Sequence, residues 1–499
     1  MKKSILLVAG LFLALLYVKA TDITVKGDVS GTWTKGSTIT VTDHITIPVG
    51  KSLTIEEGVK VLMADTAKHL EFLVLGNLYC KGTEANPVNI TVKPELLKQN
   101  VDFPRSWGGI ICDTTCTEFL MLYTHVEYAG AVTTEESPSV KKGLYKAAAG
   151  EGLPIINFRN HNNGKLVVQH CTFNNAGEDG MYLEGGNYII AYNTLYTTGE
   201  TGGDMINLKA GSIADICYNL MYSANTNGLK LSNSGSRNPQ CNPVCYNNTL
   251  VNTGWRRPTV KGGGIWLEAG VNAKIFNNLH VNPRFGVKNS KADAASVYDY
   301  QYYYGYTQAT VDAFQATEKD VVRGPHDVAG TKAGENDPLL KNYDLSNDGM
   351  NTIFDTDWDF HLKSGSPAIG KGTTNFTRHF ATTGITIGGE TYKSPEPSTT
   401  IGAFGVDGTT NVNIQDLNET LSIYPNPVQN ELNIQFNATS SQSSVKIYNI
   451  SGELQISKNI QNVAGQNNIS VNINNLKNGL YFISLQNGGQ NFTKTFLKQ

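Results

Sequence analysis

Between residues 158 and 290 the chain alternates apolar and polar positions in short runs that recur: Met181-Tyr-Leu183, Ile206-Asn-Leu208, Leu229-Lys-Leu231 and Ile265-Trp-Leu267. A period of two is that of a strand with one buried face, so the aliphatic ends of each run point inward and the middle residue outward. A second motif recurs in step with the first: His170-Cys-Thr-Phe-Asn-Asn-Ala-Gly177, Tyr192-Asn-Thr-Leu-Tyr-Thr-Thr-Gly199, Tyr218-Asn-Leu-Met-Tyr222, Tyr246-Asn-Asn-Thr-Leu-Val-Asn-Thr-Gly254 and Phe276-Asn-Asn-Leu-His-Val-Asn282. Aligning Cys171, Asn193, Asn219, Asn248 and Asn278 gives intervals of 22, 26, 29 and 30 residues. That spacing fits stacked coils of about three short strands with loops of variable length. Long amphipathic runs of helical period are missing. An Asn at the same turn of every coil predicts a side-chain ladder that satisfies the backbone of the bend.

The pattern extends both ways. Ile47-Pro-Val-Gly50, Leu53-Thr-Ile55, Val59-Lys-Val61, Val74-Leu-Gly76-Asn-Leu78 and Trp107-Gly-Gly-Ile-Ile111 read as strands broken by Gly turns. Residues 21–130 therefore form a cap and opening coils, 155–290 the regular coils and 291–405 a closing segment. Tyr298 to Tyr306 holds six tyrosines and reads as a final coil faced by rings, with a groove wall as the alternative; Thr310 to Val321 follows as a short helix. Residues 406–418 are a polar linker. From 419 to 499 alternating strands separated by Asn and Gly turns predict a small β-sandwich. At the other end Lys2 and Lys3, the apolar run Ile5–Val18 and the small residue Ala20 have the layout of a secretory signal over residues 1–20, and no later apolar run is long enough to span a membrane.

Composition sharpens this picture in two ways. With 50 Gly, 17% charged residues and a net charge of −3, the chain is turn-rich and carries no electrostatic footprint for nucleic acid. The seven cysteines include two close pairs, Cys112/Cys116 and Cys241/Cys245. For an exported chain these predict two local disulfides, with free thiols as the alternative; neither pair has the spacing or His partners of a zinc site. Cys80, Cys171 and Cys217 are expected to fill the core as small hydrophobes.

The opening passage around Val49-Gly50, Leu53-Thr-Ile55 and Gly58-Val-Lys-Val61, together with the closing Asn336-Asp-Pro-Leu-Leu340, Asp359 to Ile369 and Ile401-Gly-Ala-Phe404, resembles secreted pectate-lyase-like proteins. That resemblance implies an all-β chain: a right-handed parallel β-helix solenoid over 21–405, followed by the small C-terminal β-sandwich domain. It is specific for fold and not for activity, because the scaffold hosts lyases, hydrolases, adhesins and spacers. Tyr424-Pro-Asn-Pro427, Leu432-Asn-Ile434, Val445 to Gly452, Leu476 to Ile483 and Lys494 to Lys498 resemble the type A sorting domain of the type IX secretion system of Bacteroidetes. By that resemblance residues 419–499 engage the secretion machinery at the outer membrane, and the protein is secreted or displayed on the outer cell surface.

Outward positions of the repeated strand stack into columns about 4.8 Å per step. One column reads Tyr182, Asn207, Lys230, Trp266; the next reads Glu184, Lys209, Ser232, Glu268. Asp179 and Asp204 lie at the turn edge, and Arg256 and Arg257 on the loop before it. Such a face suits a polysaccharide: Trp266 to stack on a sugar, with Tyr182, Asn207, Lys209 and Arg256 as further contacts. If the glycan is acidic, β-elimination needs a base and a cation to neutralise the uronate. Lys230, with its pKa lowered by Lys209 and the two arginines, would be the base; Arg257 would clamp the carboxylate, and Glu268 completes the catalytic set. Glu184, Asp179 and Asp204 offer hard oxygen ligands for Ca²⁺ as another use of the same face. Against this stand a Glu184–Lys209 pair across the ladder and an ordinary solvated surface. The motifs of polygalacturonase-like enzymes are absent, and Arg256-Arg-Pro258 is only a fragment of the Arg-x-Pro-x-x-Arg motif of pectate lyases. A lyase is thus favoured over a hydrolase among enzyme readings. A non-catalytic structural or adhesive surface protein is the alternative, and no arrangement suggesting a protease stands out.

Overall fold

In a computed structural model the described residues are 21–98, 100–257, 261–407, 421–438, 442–449, 453–462, 465–487 and 490–499. The signal segment 1–20 and almost all of the linker lie outside them. The described chain falls into two compact units, one on each side of residues 411 and 412.

The larger unit is a parallel β-helix, and its strands stack into three sheets. Sheet 1 runs through Phe72–Val74, Ile110–Cys112, Ile156–Phe158, the first halves of Met181–Ala191 and Ile206–Cys217, then Asn227–Ser232, Gly263–Glu268 and Val287–Asn289. Sheet 2 runs through Ser52–Glu56, Asn77–Lys81, Glu118–Leu122, Lys165–Gln169, the second halves of the same two long strands, Asn242–Tyr246 and Lys274–Phe276. Sheet 3 includes Val88–Val92, Thr124–Glu127, Thr172–Ala176, Thr194–Thr198, Leu220–Ala224, Thr249–Val251, Leu279–Val281 and Tyr302–Tyr304. Between sheets 1 and 2 the long strand turns at Gly185 and Gly186, both at positive φ. A Cβ at Gly185 would sit 2.3 Å from that of His161, so only glycine fits this corner.

The aliphatic pairs Met181/Leu183, Ile206/Leu208, Leu229/Leu231 and Ile265/Leu267 are fully buried and join one continuous interior. Each such side chain contributes about 1.5–3 kcal/mol. Asn193 donates to Asn219 Oδ1, Asn219 to Asn248 and Asn248 to Asn278, each at 2.9 Å. The ladder ends where Asn278 donates to Gln301 Oε1 at 3.0 Å. The residue before each ladder Asn is left-handed (Tyr192, Tyr218, Asn247, Asn277), and the rings of Tyr123, His170, Tyr192 and Tyr218 stack along that edge.

All seven cysteines are free and buried, so the expected disulfides are not formed. Cys112, Cys116, Cys241 and Cys245 all lie in the inner cluster, where a thiol fills the place of an aliphatic side chain. Cys217 differs from Cys80 and Cys171: it belongs to an outer cluster, beneath the closing segment.

That segment does more than close the end. It runs back along the outside, where Leu340, Tyr343, Phe360 and Ile401 cover sheet 3, and Phe380, Ile385, Ile387 and Tyr392 cover sheet 2. Buried Asp215 fastens it, accepting from the backbone N–H of His379 (3.1 Å) and Phe380 (2.9 Å) and from the Ser394 hydroxyl (2.5 Å). Tyr302 and Tyr304 lie under the same cover, while Tyr303 turns to Val311 and Phe314; the tyrosine run is a faced coil and not a groove wall. The helix spans Gln308–Ala313, two residues earlier than Thr310, because the Thr307 side chain caps it by accepting from Thr310 N. Among the described residues, sheet 1 has apolar cover near its start, where Leu144 and Leu153 pack on Leu73 and Ile111, and at Tyr182, whose ring meets that of Tyr145 edge-on at 5.2 Å. The last rung, Val287–Asn289, meets the closing segment through a bridge between Lys288 and Val321, whereas that segment's apolar clusters lie over sheets 2 and 3.

The smaller unit is antiparallel. Leu421–Tyr424, Glu431–Ala438 and Gly465–Asn472 form one sheet; Leu454–Gln461, Gln442–Asn449, Gly479–Asn487 and Gln490–Lys498 form the other. Leu432, Ile434, Val445, Ile447, Ile483 and Phe496 build a core of its own.

Candidate functional site

Sheet 1 carries the columns the sequence predicts, but Asn207 and Lys209 are buried at 4% and 7% exposure and, like Tyr182, lie outside the cleft, so the expectation that these three contact a sugar is not met there. Tyr182 pairs with Asn207, Asn207 with Lys230 and Lys230 with Trp266, while Glu184 pairs with Lys209 and Ser232 with Glu268. A further rung, Lys288, follows Trp266. Beside this column opens a cleft of about 380 Å³, whose lining includes Glu178, Asp204, Lys230, Arg257, Lys261, Trp266 and Glu268.

Lys230 Nζ lies 3.4 Å from Glu268 Oε1. Burial pulls the Lys230 ammonium down, but Asp204, Glu268 and Asp179 together outweigh that and hold its pKa above the usual value. This reverses the expectation of a lowered pKa, because the neighbours that dominate are carboxylates and not the arginines. Lys209 is held below its usual value, by burial and then by the Lys230 charge, and its ammonium sits 5.3 Å from the Tyr182 ring centre; burial lowers Lys288 as well.

The two arginines part company. Arg256 turns away and donates to the carbonyls of Thr198 (2.9 Å), Gly199 (2.5 Å) and Ser223 (2.7 Å), and burial brings its pKa down to about 10. A guanidinium so occupied fastens turns and has no fork to offer a sugar, which removes Arg256 from the binding set. Arg257 lines the cleft, donates to Thr201 O and lies against Gly202, where a Cβ would come within 2.7 Å of its Nη1. Trp266 is flanked by Lys230 and Lys288, each ammonium 5.3 Å from the ring, and its indole N–H donates to Ser290 Oγ at 2.8 Å.

Glu184 is not paired with Lys209 in an ion pair. It is held instead by Arg237 at 3.2 Å and Arg159 at 4.0 Å, which leaves it no role beside Asp179 and Asp204. Among the described residues no group of three or more His, Cys, Asp or Glu is set to hold a metal ion.

Asp179 and Asp204 occupy neighbouring rungs and are nearly inaccessible, at 9% and 5% exposure. Asp179 accepts from Asp204 N at 2.7 Å and from Asn207 Nδ2 at 2.9 Å; Asn227 Nδ2 donates to Asp204 Oδ1 at 2.6 Å. Burial raises both carboxyls, and with the added repulsion of Asp179 the Asp204 pKa is pushed up to about 7. Sequence reasoning placed these two at the turn edge without seeing that the turn buries them. Glu178 and Lys261 carry no such signal in the sequence, and Lys288 extends the same inward–outward alternation one coil further.

Residues 152–301 match the family described as right handed beta helix region, and residues 422–499 match the secretion system C-terminal sorting domain. Residues 422–499 form a type IX secretion sorting domain. The protein is therefore exported by that route to the cell surface or beyond it, and no helix among the described residues is long and apolar enough to cross a membrane. No curated protein and no solved structure matches the chain.

Proposed function

We propose that this exported β-helix protein engages an acidic polysaccharide along the open face of sheet 1. The observation that carries this reading is the contrast between faces: the closing segment seals sheets 2 and 3 with apolar side chains, while the later rungs of sheet 1 keep a cleft lined by Lys230, Arg257, Lys261 and Trp266. A cleft whose lining carries three cations, Lys230, Arg257 and Lys261, beside the carboxyls of Glu178, Asp204 and Glu268 suits sugars that bear both carboxylates and hydroxyls. Lys230 serves this role as a charged group. Held above its ordinary pKa beside Glu268, it binds a uronate better than it removes a proton.

The test is binding of the full-length exported protein to a panel of uronate-containing and neutral polysaccharides at two salt concentrations. Expected is retention of uronate polymers that weakens with salt and falls several-fold in Arg257→Ala. Equal retention of neutral polymers would refute acidic-glycan recognition. Silence across the panel would leave a structural surface role.

A further inference from the structure

We propose that the cleft is a hydrolytic site in which Asp204 is the general acid and Glu268 the base that activates water. The inference rests on the glycan reading above and adds bond cleavage to it. Its basis is the placement of two carboxyl groups in unlike surroundings around one cleft. Asp204 lines the cleft, is 5% exposed and has its Oδ1 fixed by Asn227 at 2.6 Å, with Asp179 on the adjoining rung. Glu268 lines the same cleft from the rung of Trp266, 24% exposed, with its carboxylate held by Lys230 at 3.4 Å. Two like charges on neighbouring buried rungs cannot both ionise cheaply, so the Asp179–Asp204 pair retains a proton. The group facing the cleft is then able to give it up. Glu268 stands apart from that pair, with the Lys230 ammonium 3.4 Å from its Oε1. Two carboxyls in unlike surroundings are the means by which one site supplies both an acid and a base.

The step balances with water as the only co-reactant. Asp204 gives its proton to the glycosidic oxygen as the bond from that oxygen to the anomeric carbon breaks. A water oxygen bonds to that carbon and its proton passes to Glu268; Glu268 then releases that proton to solvent, and Asp204 takes one back from solvent. A new reducing end appears and no double bond is made. Elimination with a lysine as base would instead need that lysine uncharged, and Lys230 is held charged while Lys209, 5.3 Å from the Tyr182 ring, lies outside the lining.

Burial sets the titration of Asp204 first; the charged groups facing it are Asp179, which raises it further, and Lys230 and Lys209, which lower it. A rate that depends on protonated Asp204 is complete at low pH with respect to this group and falls as pH rises through about 7. Removing the Lys230 charge removes an influence that lowers the Asp204 pKa, so this falling limb moves to higher pH.

The experiment uses the full chain with the uronate polymers it retains, following reducing ends and absorbance near 235 nm together with binding. Expected are reducing ends without absorbance, a loss of about 10²–10⁴-fold in Asp204→Asn and in Glu268→Gln with binding kept, and a falling limb displaced upward in Lys230→Gln. Binding without cleavage by the unaltered protein overturns the catalytic assignment and leaves the binding reading standing; absence of binding overturns both. Absorbance at 235 nm, or full cleavage by a folded Asp204→Asn protein, overturns it as well. Should Asp204→Asn fail to fold, Glu268→Gln and the limb of Lys230→Gln decide the matter.

Discussion

At the residue scale, two buried polar arrangements have opposite consequences. Asn219 is inside the ladder on both sides: it accepts from Asn193 N and Nδ2 and donates to Ile190 O and Asn248 Oδ1, all within 3.0 Å. Asn219→Ala leaves several of these groups buried without partners, and about 3 kcal/mol of stability should be lost, read as a lower urea midpoint. A loss under 1 kcal/mol would mean that water replaces the ladder at little cost. Asp204 behaves differently. Its folded pKa, about 7, lies above the ordinary carboxyl value near 3.9, so the folded state binds a proton that the unfolded chain releases. That contribution is full below pH 4 and disappears as pH rises through about 7. Stability should therefore decline over that window by on the order of 4 kcal/mol from this pair. Asp204→Asn, which cannot ionise, should flatten the decline; an unchanged pH profile of denaturation would show that the pair is not the source.

At the element scale, the strands and the Asn turns were legible because their signals are local and repeated. Met181-Tyr-Leu183 and its successors show period two, and each Asn of the ladder occupies the same place after an aromatic or Asn residue that turns left-handed. The outward columns followed from the same parity, so Lys230 beside Trp266 was readable. Burial was not. Whether Asp179 sits at a wet turn or under a rung depends on loops from elsewhere in the chain, and Arg256 is consumed by carbonyls 33 and 57 residues away. The disulfide expectation failed for a related reason: spacing brings two cysteines close, whereas strand parity points them into the apolar interior. The path of the closing segment was likewise hidden, since nothing local tells Phe380 or Tyr392 that their partners are Ile189 and Val244. Its attachment can be tested at Asp215. Asp215→Ala strands the backbone N–H groups of His379 and Phe380, and about 2–3 kcal/mol of docking should be lost. Limited proteolysis should then cut between residues 376 and 396 while the far-UV signal of the solenoid persists. Resistance equal to that of the unaltered protein would place the hold in the apolar contacts alone.

At the scale of the whole molecule, the two units have separate interiors, and the sorting address resides in the smaller one. Among the described residues the solenoid core runs from Val29 to Val287, and the tail packs Leu432, Ile434, Val445 and Phe496 among themselves. Each unit thus has an apolar core of its own, as an independently folding domain requires. A chain ending at Asp407 should accordingly fold, with the same thermal midpoint for the solenoid within a degree or two and the same affinity for any glycan the full chain retains. It should fail in one respect only. In a host with type IX machinery the full-length protein should be reached by protease added to intact cells, whereas the shortened protein should stay protected until the outer membrane is broken. The reciprocal fusion, residues 412–499 attached to an unrelated exported reporter, should bring that reporter to the surface. If the shortened chain were exposed as readily as the full one, export would be directed from within the solenoid. If it misfolded, the independence of the two cores would be refuted, since a unit whose apolar surface is already buried has no need of its neighbour to remain folded.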